Sequence, residues 1–381
     1  MGLFFTSKKE KFLNLMSIMG LNNFALVEDK IIENGHLLKI KIPPTGTVKN
    51  LEDKQEQLET YFKAVIEINK DKFTDIAEVK VYTKDIGNFR YEPVAPAKYT
   101  DLYLGKTFDN KPYFLDIRTN PHIIAAGITG SGKSYLLATM LTNLIYFYSN
   151  KYELYLCQTS KRDIDYIKDC KIVKSCVYTP TDTYIVLTKA IEEINNRCKL
   201  FASVGCKGID HYNKCTRSNI KRRIYVFEEI ALYMPDDTDT DAEKKAKKRV
   251  WGSIQNIVKL GREAGIHFLA ITQRTTTTNL GGNGDIKSQL ARITFKQPQA
   301  VDSSNVIGCD LATKLSKREF YILSTEGLHL VKAPTIDKEM KLLHKYIPEI
   351  KVFEPNLNIK NDAVRENYID MRIEDYNKLG N

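Results

Sequence analysis

One short segment of the sequence has the residue types and spacing of a phosphate-binding loop. An apolar run at residues 123–126 precedes a Gly-rich turn and a long apolar-periodic stretch, which predicts strand, loop and helix. Glycines let successive backbone N–H groups turn inward around anionic phosphates, and the amino end of the next helix adds a positive dipole. The eight residues of the expected loop are Gly127, Ile128, Thr129, Gly130, Ser131, Gly132, Lys133 and Ser134.

Two side chains of this loop have distinct expected roles. Lys133 would reach the β- and γ-phosphates of ATP, and the Ser134 hydroxyl would bind Mg²⁺. The predicted cofactors are therefore ATP and Mg²⁺. The strand and helix on either side argue against the alternative, a Gly-rich turn before an ordinary helix.

Paired carboxylates follow a second apolar strand, at Glu228 and Glu229. In phosphate-loop enzymes, one acid at such a strand end holds the Mg²⁺ shell and the next positions the attacking water. We expect Glu228 on the metal side and Glu229 as the general base; the alternative is a pair of surface acids. Gln273 closes the next strand, where it would sense the γ-phosphate or orient water, unless it is an ordinary strand-end residue.

Two arginines are expected to act on the nucleotide of a neighbouring subunit. A positive charge supplied in trans stabilises the phosphoryl-transfer transition state. Arg262, in the stretch GREAGIH, and Arg292 are the candidates. Either side chain serves equally well as a structural ion-pair residue.

Strand and helix patterns alternate through the larger part of the chain. Strands are expected at residues 123–126, 154–158, 224–227, 267–272 and 292–295, with helices between them. This alternation predicts an α/β fold with a mostly parallel sheet, whose ligands bind at the carboxyl ends of the strands. A smaller α+β unit precedes it, with strands at 36–42 and 78–83 around a helix at 51–68, and a Pro-containing linker at 93–96. The expected divisions are an N-terminal arm at 1–20, the small domain at 21–97, the ATPase domain at 98–335 and a tail at 336–381.

The composition is that of a globular protein with excess positive charge. Of the 381 residues, 43% are hydrophobic and 27% are charged, and the formal net charge is +10. No apolar run reaches the roughly 18 residues of a membrane span, so we expect no integral span. We expect a cytoplasmic protein that reaches the membrane only through partners, and the charge favours a polyanionic partner such as DNA.

Seven cysteines are scattered without a C-x-x-C pair, which is typical of a reducing compartment. Cys206, His211 and Cys215 are close in sequence, but their spacing is not that of a zinc motif and a fourth ligand is missing. The sequence therefore does not lead us to expect a metal there.

These motifs together resemble the FtsK/SpoIIIE branch of the FtsK–HerA motor ATPases. The similarity covers roughly residues 104–332 and includes PHIIAAGITGSGKS, FEE, GREAGIHFLAITQR and ARITFKQPQAVDSSNVIG. The resemblance implies a RecA-like motor that assembles as a homo-hexameric ring and pumps double-stranded DNA through its pore. It also implies that the unit at 21–97 is the companion domain that precedes the motor.

The sequence departs from the family pattern at three places. Glu228 stands where the family usually has Asp, only Lys161 remains of an Asp-Pro-Lys stretch, and Thr275 replaces a Pro. The membrane spans and the full winged-helix domain of chromosome translocases have no counterpart in this sequence. We therefore expect a mobile-element member, from a conjugative transposon, plasmid or phage, with a relaxase as a further partner.

Two other functions stay open on the sequence alone. One is a secretion-type motor for protein substrates, and the other is a nucleotide-gated adaptor that binds DNA or a relaxase without translocating. The polar, Gly-rich residues 275–285 are expected to form a pore-facing loop. The polarity of movement and a role for single-stranded DNA are not determined by these motifs.

Overall fold

The structure of the chain, a computed structural model, describes residues 8–159, 163–273, 275, 284–336, 343 and 345–347. The Lys161 position, Arg274, most of the expected pore loop and nearly all of the expected tail lie outside these residues.

The first unit is a four-stranded antiparallel sheet with helices. Its elements are α1 (Lys8–Ile18), β1 (Ala25–Ile32), β2 (Gly35–Lys41), α2 (Val48–Glu52), α3 (Gln55–Phe62), β3 (Val65–Lys70) and β4 (Ile76–Tyr82), with strand order β1-β2-β4-β3. Phe12, Leu15 and Met16 of α1 lie in the same apolar core as the strands. Helix α1 therefore packs against the strands of this unit.

The prediction of a single helix at residues 51–68 is wrong. The helical part ends at Phe62 because Lys63 adopts a left-handed conformation with φ of 49°. The chain then forms β3, in which Ile66 pairs with Val81 of the neighbouring strand. β-Branched Val65, Ile66 and Ile68 favour a strand, and pairing with β4 outweighs the helical spacing of the apolar residues.

The second unit is built on one sheet of ten strands. Its elements are β5 (Asp101–Thr107), β6 (Pro112–Asp116), β7 (His122–Ala126), α4 (Lys133–Tyr148), β8 (Tyr152–Cys157), β9 (Val173–Val177), α5 (Pro180–Ser203), α6 (Ile209–Thr216), β10 (Arg222–Phe227), α7 (Asp241–Ala264), β11 (Ile266–Thr272), α8 (Gly284–Lys287), β12 (Leu290–Thr294), α9 (Ala300–Ile307), β13 (Glu319–Ser324) and β14 (Gly327–Lys332).

Six strands of this sheet are parallel and stand in the order β12-β7-β11-β10-β8-β9. Antiparallel strands β13, β14, β5 and β6 extend the sheet beyond β12. Helix α4 packs on one face, while α5 and α7 pack together on the other. The predicted α/β fold with a mostly parallel core is thus confirmed, and β11 separates the phosphate-loop strand β7 from the acid strand β10.

The small unit contacts the antiparallel end of this sheet through polar side chains. Glu67 accepts hydrogen bonds from Tyr82 and from the backbone N–H of Leu330, each over 2.8 Å. Lys332 pairs with Asp85 over 2.7 Å. Within the described part of the chain, no helix has both the length and the apolarity required to cross a bilayer.

Candidate nucleotide-binding and catalytic site

The turn between β7 and α4 has backbone angles that favour glycine. Gly127, Gly130 and Gly132 have φ angles of 152°, 76° and 123°. A Cβ at Gly127 would lie 2.7 Å from the Cβ of Phe295, and one at Gly132 would lie 3.3 Å from the Cα of Arg318. The protein therefore packs closely behind the turn at Gly127 and Gly132, where a larger side chain has no room.

Lys133 lies folded over this turn. Its ammonium group donates to the carbonyl oxygens of Gly127 and Ile128 over 2.6 and 2.8 Å, and the side chain is 6% exposed. Ser131 closes the turn by donating from its hydroxyl to Ile128 O over 2.7 Å. The cation is thus held at the loop where phosphates would bind.

Three oxygen-bearing side chains meet beside the amino end of α4. Ser134 Oγ donates to Asp163 Oδ2 over 2.7 Å, and the backbone N–H of Asp163 donates to Glu228 Oε1 over 2.6 Å. Hydroxyl and carboxylate oxygens are the ligands that Mg²⁺ prefers. Ser134, Asp163 and Glu228 therefore fit a magnesium ion held against a bound triphosphate.

The sequence argument missed Asp163. This residue follows β8, which is the sheet neighbour of β10, so its carboxylate and that of Glu228 lie at adjacent strand ends. A search of the loop after β8 for any carboxylate, rather than for an Asp-Pro-Lys stretch, would have found it.

Gln273 links the phosphate loop to the second acid. The hydroxyl of Thr129 donates to Gln273 Oε1 over 2.7 Å, and the backbone N–H of Gln273 donates to Glu229 Oε1 over 3.1 Å. The strand order explains this contact, since β11 carries Gln273 between β7 and β10. Glu229 is 6% exposed and contacts Gln273 after β11, whereas Glu228 contacts Asp163 in the loop after β8.

The structure does not bring Arg262 or Arg292 to the phosphate loop of their own chain. Arg262 is exposed near the end of α7, directly before β11, and Arg292 donates to Val306 O over 2.8 Å. Both line a cavity of about 610 Å³ with Pro121, at the amino ends of the parallel strands. Burial lowers the pKa of Arg292 from its ordinary value. Action on a nucleotide therefore requires a second copy of the chain.

Thr275, which replaces the family's Pro, has a defined contact. Its hydroxyl donates to Asp302 Oδ1 over 2.6 Å, so it ties the end of the β11 segment to α9. Proline carries no hydroxyl and would lose this hydrogen bond. The neighbouring Arg274 and residues 276–283 lie outside the described part of the chain.

Comparison with known sequences agrees with the resemblance drawn from the motifs. Residues 97–236 match the FtsK/SpoIIIE family. The DNA translocase FtsK of Rickettsia bellii is 28% identical over 235 residues, which cover 54% of this chain and 31% of that protein. That of Bradyrhizobium diazoefficiens is 27% identical over 256 residues, covering 60% of this chain and 31% of the relative. The chain thus spans about a third of the length of these relatives.

Comparison with solved structures shows the same fold over most of the chain. The pCW3 conjugation coupling protein TcpA, in its monomer form with ATPγS, gives a TM-score of 0.61 at 18% identity, covering 89% of this chain and 98% of that one. The cytoplasmic domain of the type VII secretion ATPase EccC from Thermomonospora curvata gives a TM-score of 0.54 at 22% identity. The match covers 68% of this chain and 31% of that one. The first likeness spans nearly all of both chains.

Proposed function

We propose, from the FtsK/SpoIIIE-family domain that this chain contains, that the protein is an ATP-hydrolysing DNA translocase. It acts as a ring of identical subunits, either as a double-stranded DNA pump or as a coupling ATPase in conjugation. Its setting is the cytoplasm, with contact to the membrane through partners.

The observation that carries the proposal is the continuous network of contacts around the phosphate loop. Ser134 reaches Asp163 and, through its backbone, Glu228; Thr129 reaches Gln273 and, through its backbone, Glu229. The loop is thus joined to a metal-side acid on one flank and to a water-side acid on the other. Phosphoryl transfer to water requires both an acid that holds the metal and an acid that positions the water.

Each residue has a role in the proposed hydrolysis. The glycine turn and Lys133 would bind the phosphates, while Ser134, Asp163 and Glu228 would hold Mg²⁺, which supplies positive charge next to the phosphate oxygens when it is bound. Glu229 orients the attacking water and accepts its proton. Gln273 contacts both the loop and Glu229, so it is placed to report whether a γ-phosphate is bound.

The position of the arginines supports a ring. The cavity lined by Arg262 and Arg292 lies at the opposite end of the strands from the phosphate loop. Head-to-tail packing of identical subunits would bring that end of one chain to the nucleotide of the next, and a rotation that closes gives a ring. We propose the hexamer that the family resemblance implies.

DNA is the proposed substrate because of the relatives and the charge. The two FtsK relatives are named DNA translocases, and the chain carries a formal net charge of +10. The coverage of the TcpA likeness supports a role in conjugation, with a relaxase as a further partner. Contacts to DNA phosphates would make binding sensitive to salt and indifferent to sequence.

Steady-state ATP hydrolysis without DNA, with single-stranded DNA and with double-stranded DNA tests this function. We expect strong stimulation by double-stranded DNA that Lys133→Ala and Glu229→Gln each abolish, while Lys72→Ala in the small unit retains it. Stronger stimulation by single-stranded DNA would indicate that the protein acts on the DNA strand transferred in conjugation. Equal hydrolysis in all three conditions would overturn the proposal, and stimulation by peptide would favour a secretion-type motor.

A further inference from the structure

The loop after α5 and helix α6 bring three metal-binding side chains together. The ligand atoms of Cys206, His211 and Cys215 all lie within 4.8 Å of one another. The spacing in the sequence gave no reason to expect a metal, because it matches no common zinc motif. The folded chain supplies the proximity that the spacing does not show.

Local backbone structure fixes the position of Cys206. Helix α5 ends at Ser203, Gly205 turns the chain with φ of 68°, and the Cys206 N–H donates to Phe201 O over 2.8 Å. The Cys206 side chain is buried in a small cluster with Phe201 and Ile209. One ligand is therefore held on a rigid turn against the protein.

Helix α6 presents the other two ligands to that turn. His211 and Cys215 are four residues apart on the helix, so they lie on the same face one turn from each other. His211 Nδ1 accepts a hydrogen bond over 3.2 Å from the backbone N–H of Lys207, the residue after Cys206. This contact holds the imidazole ring against the turn that carries Cys206, and zinc bound at Nδ1 would replace the hydrogen bond because the nitrogen has a single lone pair.

We propose that Cys206, His211 and Cys215 form a zinc site that fixes α6 to the end of α5. Two thiolates and one imidazole bind Zn²⁺ in preference to Mg²⁺ or Ca²⁺. Three protein ligands leave the fourth position of a tetrahedral zinc site open. His211 and Cys215 are exposed, so that position opens to water. The two thiolates balance the charge of the ion.

The position of the site gives it a structural consequence. A Cβ at Gly208 would lie 2.5 Å from Glu263 Oε2, so the start of α6 packs directly on the end of α7 beside Arg262. Asp210 of α6 also accepts hydrogen bonds from Tyr99 over 2.5 Å and from Arg222 over 2.6 Å. Zinc would therefore stiffen the end of the sheet that carries the candidate trans-acting arginines.

Metal titration of the full chain tests the site. The protein is stripped with chelator, kept in a phosphine reductant with excess Mg²⁺ and ATP, and titrated with Co²⁺ and then Zn²⁺. We expect one equivalent of Co²⁺ to give a thiolate charge-transfer band and strong tetrahedral visible absorption, both removed by one equivalent of Zn²⁺. His211→Gln and Cys215→Ser should each weaken Zn²⁺ binding roughly tenfold or more.

Matched variants separate this site from other thiols. Cys198→Ser on α5 and Cys309→Ser should leave the cobalt spectrum unchanged, and circular dichroism should show that all variants are folded. Absence of the charge-transfer band in the reduced wild-type protein would overturn the proposal. Retention of the band in both His211→Gln and Cys215→Ser would also overturn the proposal. So would a Cys206–Cys215 disulfide that persists in reductant and blocks metal binding.

Discussion

Ser134 donates its hydroxyl hydrogen bond to Asp163 Oδ2 over 2.7 Å, which places a carboxylate from the loop after β8 directly at the expected magnesium position. The backbone of Asp163 also binds Glu228. The proposed metal site therefore takes its carboxylates from two neighbouring strand ends. A second carboxylate, that of Asp163, therefore belongs to the residue that contacts Glu228, which stands where the family usually has Asp.

Asp163→Asn should weaken magnesium use without unfolding the protein. The substitution keeps the size of the side chain and removes a charged oxygen donor to the metal. We expect the Mg²⁺ concentration for half-maximal ATP hydrolysis to rise, by roughly tenfold. Asp169→Asn, at an exposed residue further along the same segment, is the control. If both variants titrate with Mg²⁺ like the wild type, Asp163 has no role at the metal.

Gly127→Ala should disrupt the phosphate loop. The new Cβ would meet Phe295 at 2.7 Å on a backbone with φ of 152°, which costs about 1–3 kcal/mol in strain. We expect a lower melting temperature and loss of fluorescent ATP-analogue binding. Gly252→Ala is the matched control, since a Cβ there meets nothing within 4 Å and helix propensity should add about 0.5–1 kcal/mol of stability. Normal nucleotide binding by Gly127→Ala would show that the turn can rearrange.

Mixing two inactive variants tests the trans-acting arginines. Arg262→Ala or Arg292→Ala retains its own acids, while Glu229→Gln retains its arginines, so mixed rings contain some complete sites. We expect partial recovery of DNA-stimulated hydrolysis for whichever arginine acts in trans. Arg217→Ala, at an exposed residue after α6, should be active by itself. No recovery at any mixing ratio for either arginine would count against shared sites.

Acid should destabilise the protein through His122. Burial lowers its pKa in the folded chain from 6.5 to about 3. Because only the unfolded chain takes up this proton between those values, the stability it contributes is complete above pH 6.5 and falls as the pH drops. At pH 5 the loss is about 2 kcal/mol. Chemical denaturation at pH 7.5 and pH 5 should show a smaller pH effect in His122→Asn than in His329→Gln, and equal effects would contradict it.

The candidate catalytic residues could be predicted where their motif is local in sequence. Lys133 and Ser134 follow from one loop, and Glu229 from a strand with acids at its end. The hairpin of β13 and β14 was also readable, since apolar runs flank the two-residue turn at Thr325 and Glu326.

Other features depend on contacts between distant parts of the chain. Asp163 joins the site because β8 lies beside β10, and the helix at 51–68 fails because β3 pairs with β4. The positions of Arg262 and Arg292 relative to the phosphate loop follow from the direction of the parallel strands. None of these relations is contained in the spacing of a single motif.

Displacement of a third strand from a DNA triplex tests the central claim most directly, because it requires movement along DNA and not hydrolysis alone. We predict ATP-dependent displacement from linear double-stranded DNA by the wild-type protein. It should be lost in Glu229→Gln and with a non-hydrolysable ATP analogue, and retained in Lys72→Ala. DNA-stimulated hydrolysis without any displacement would contradict the translocase and leave an ATPase that binds DNA without moving along it.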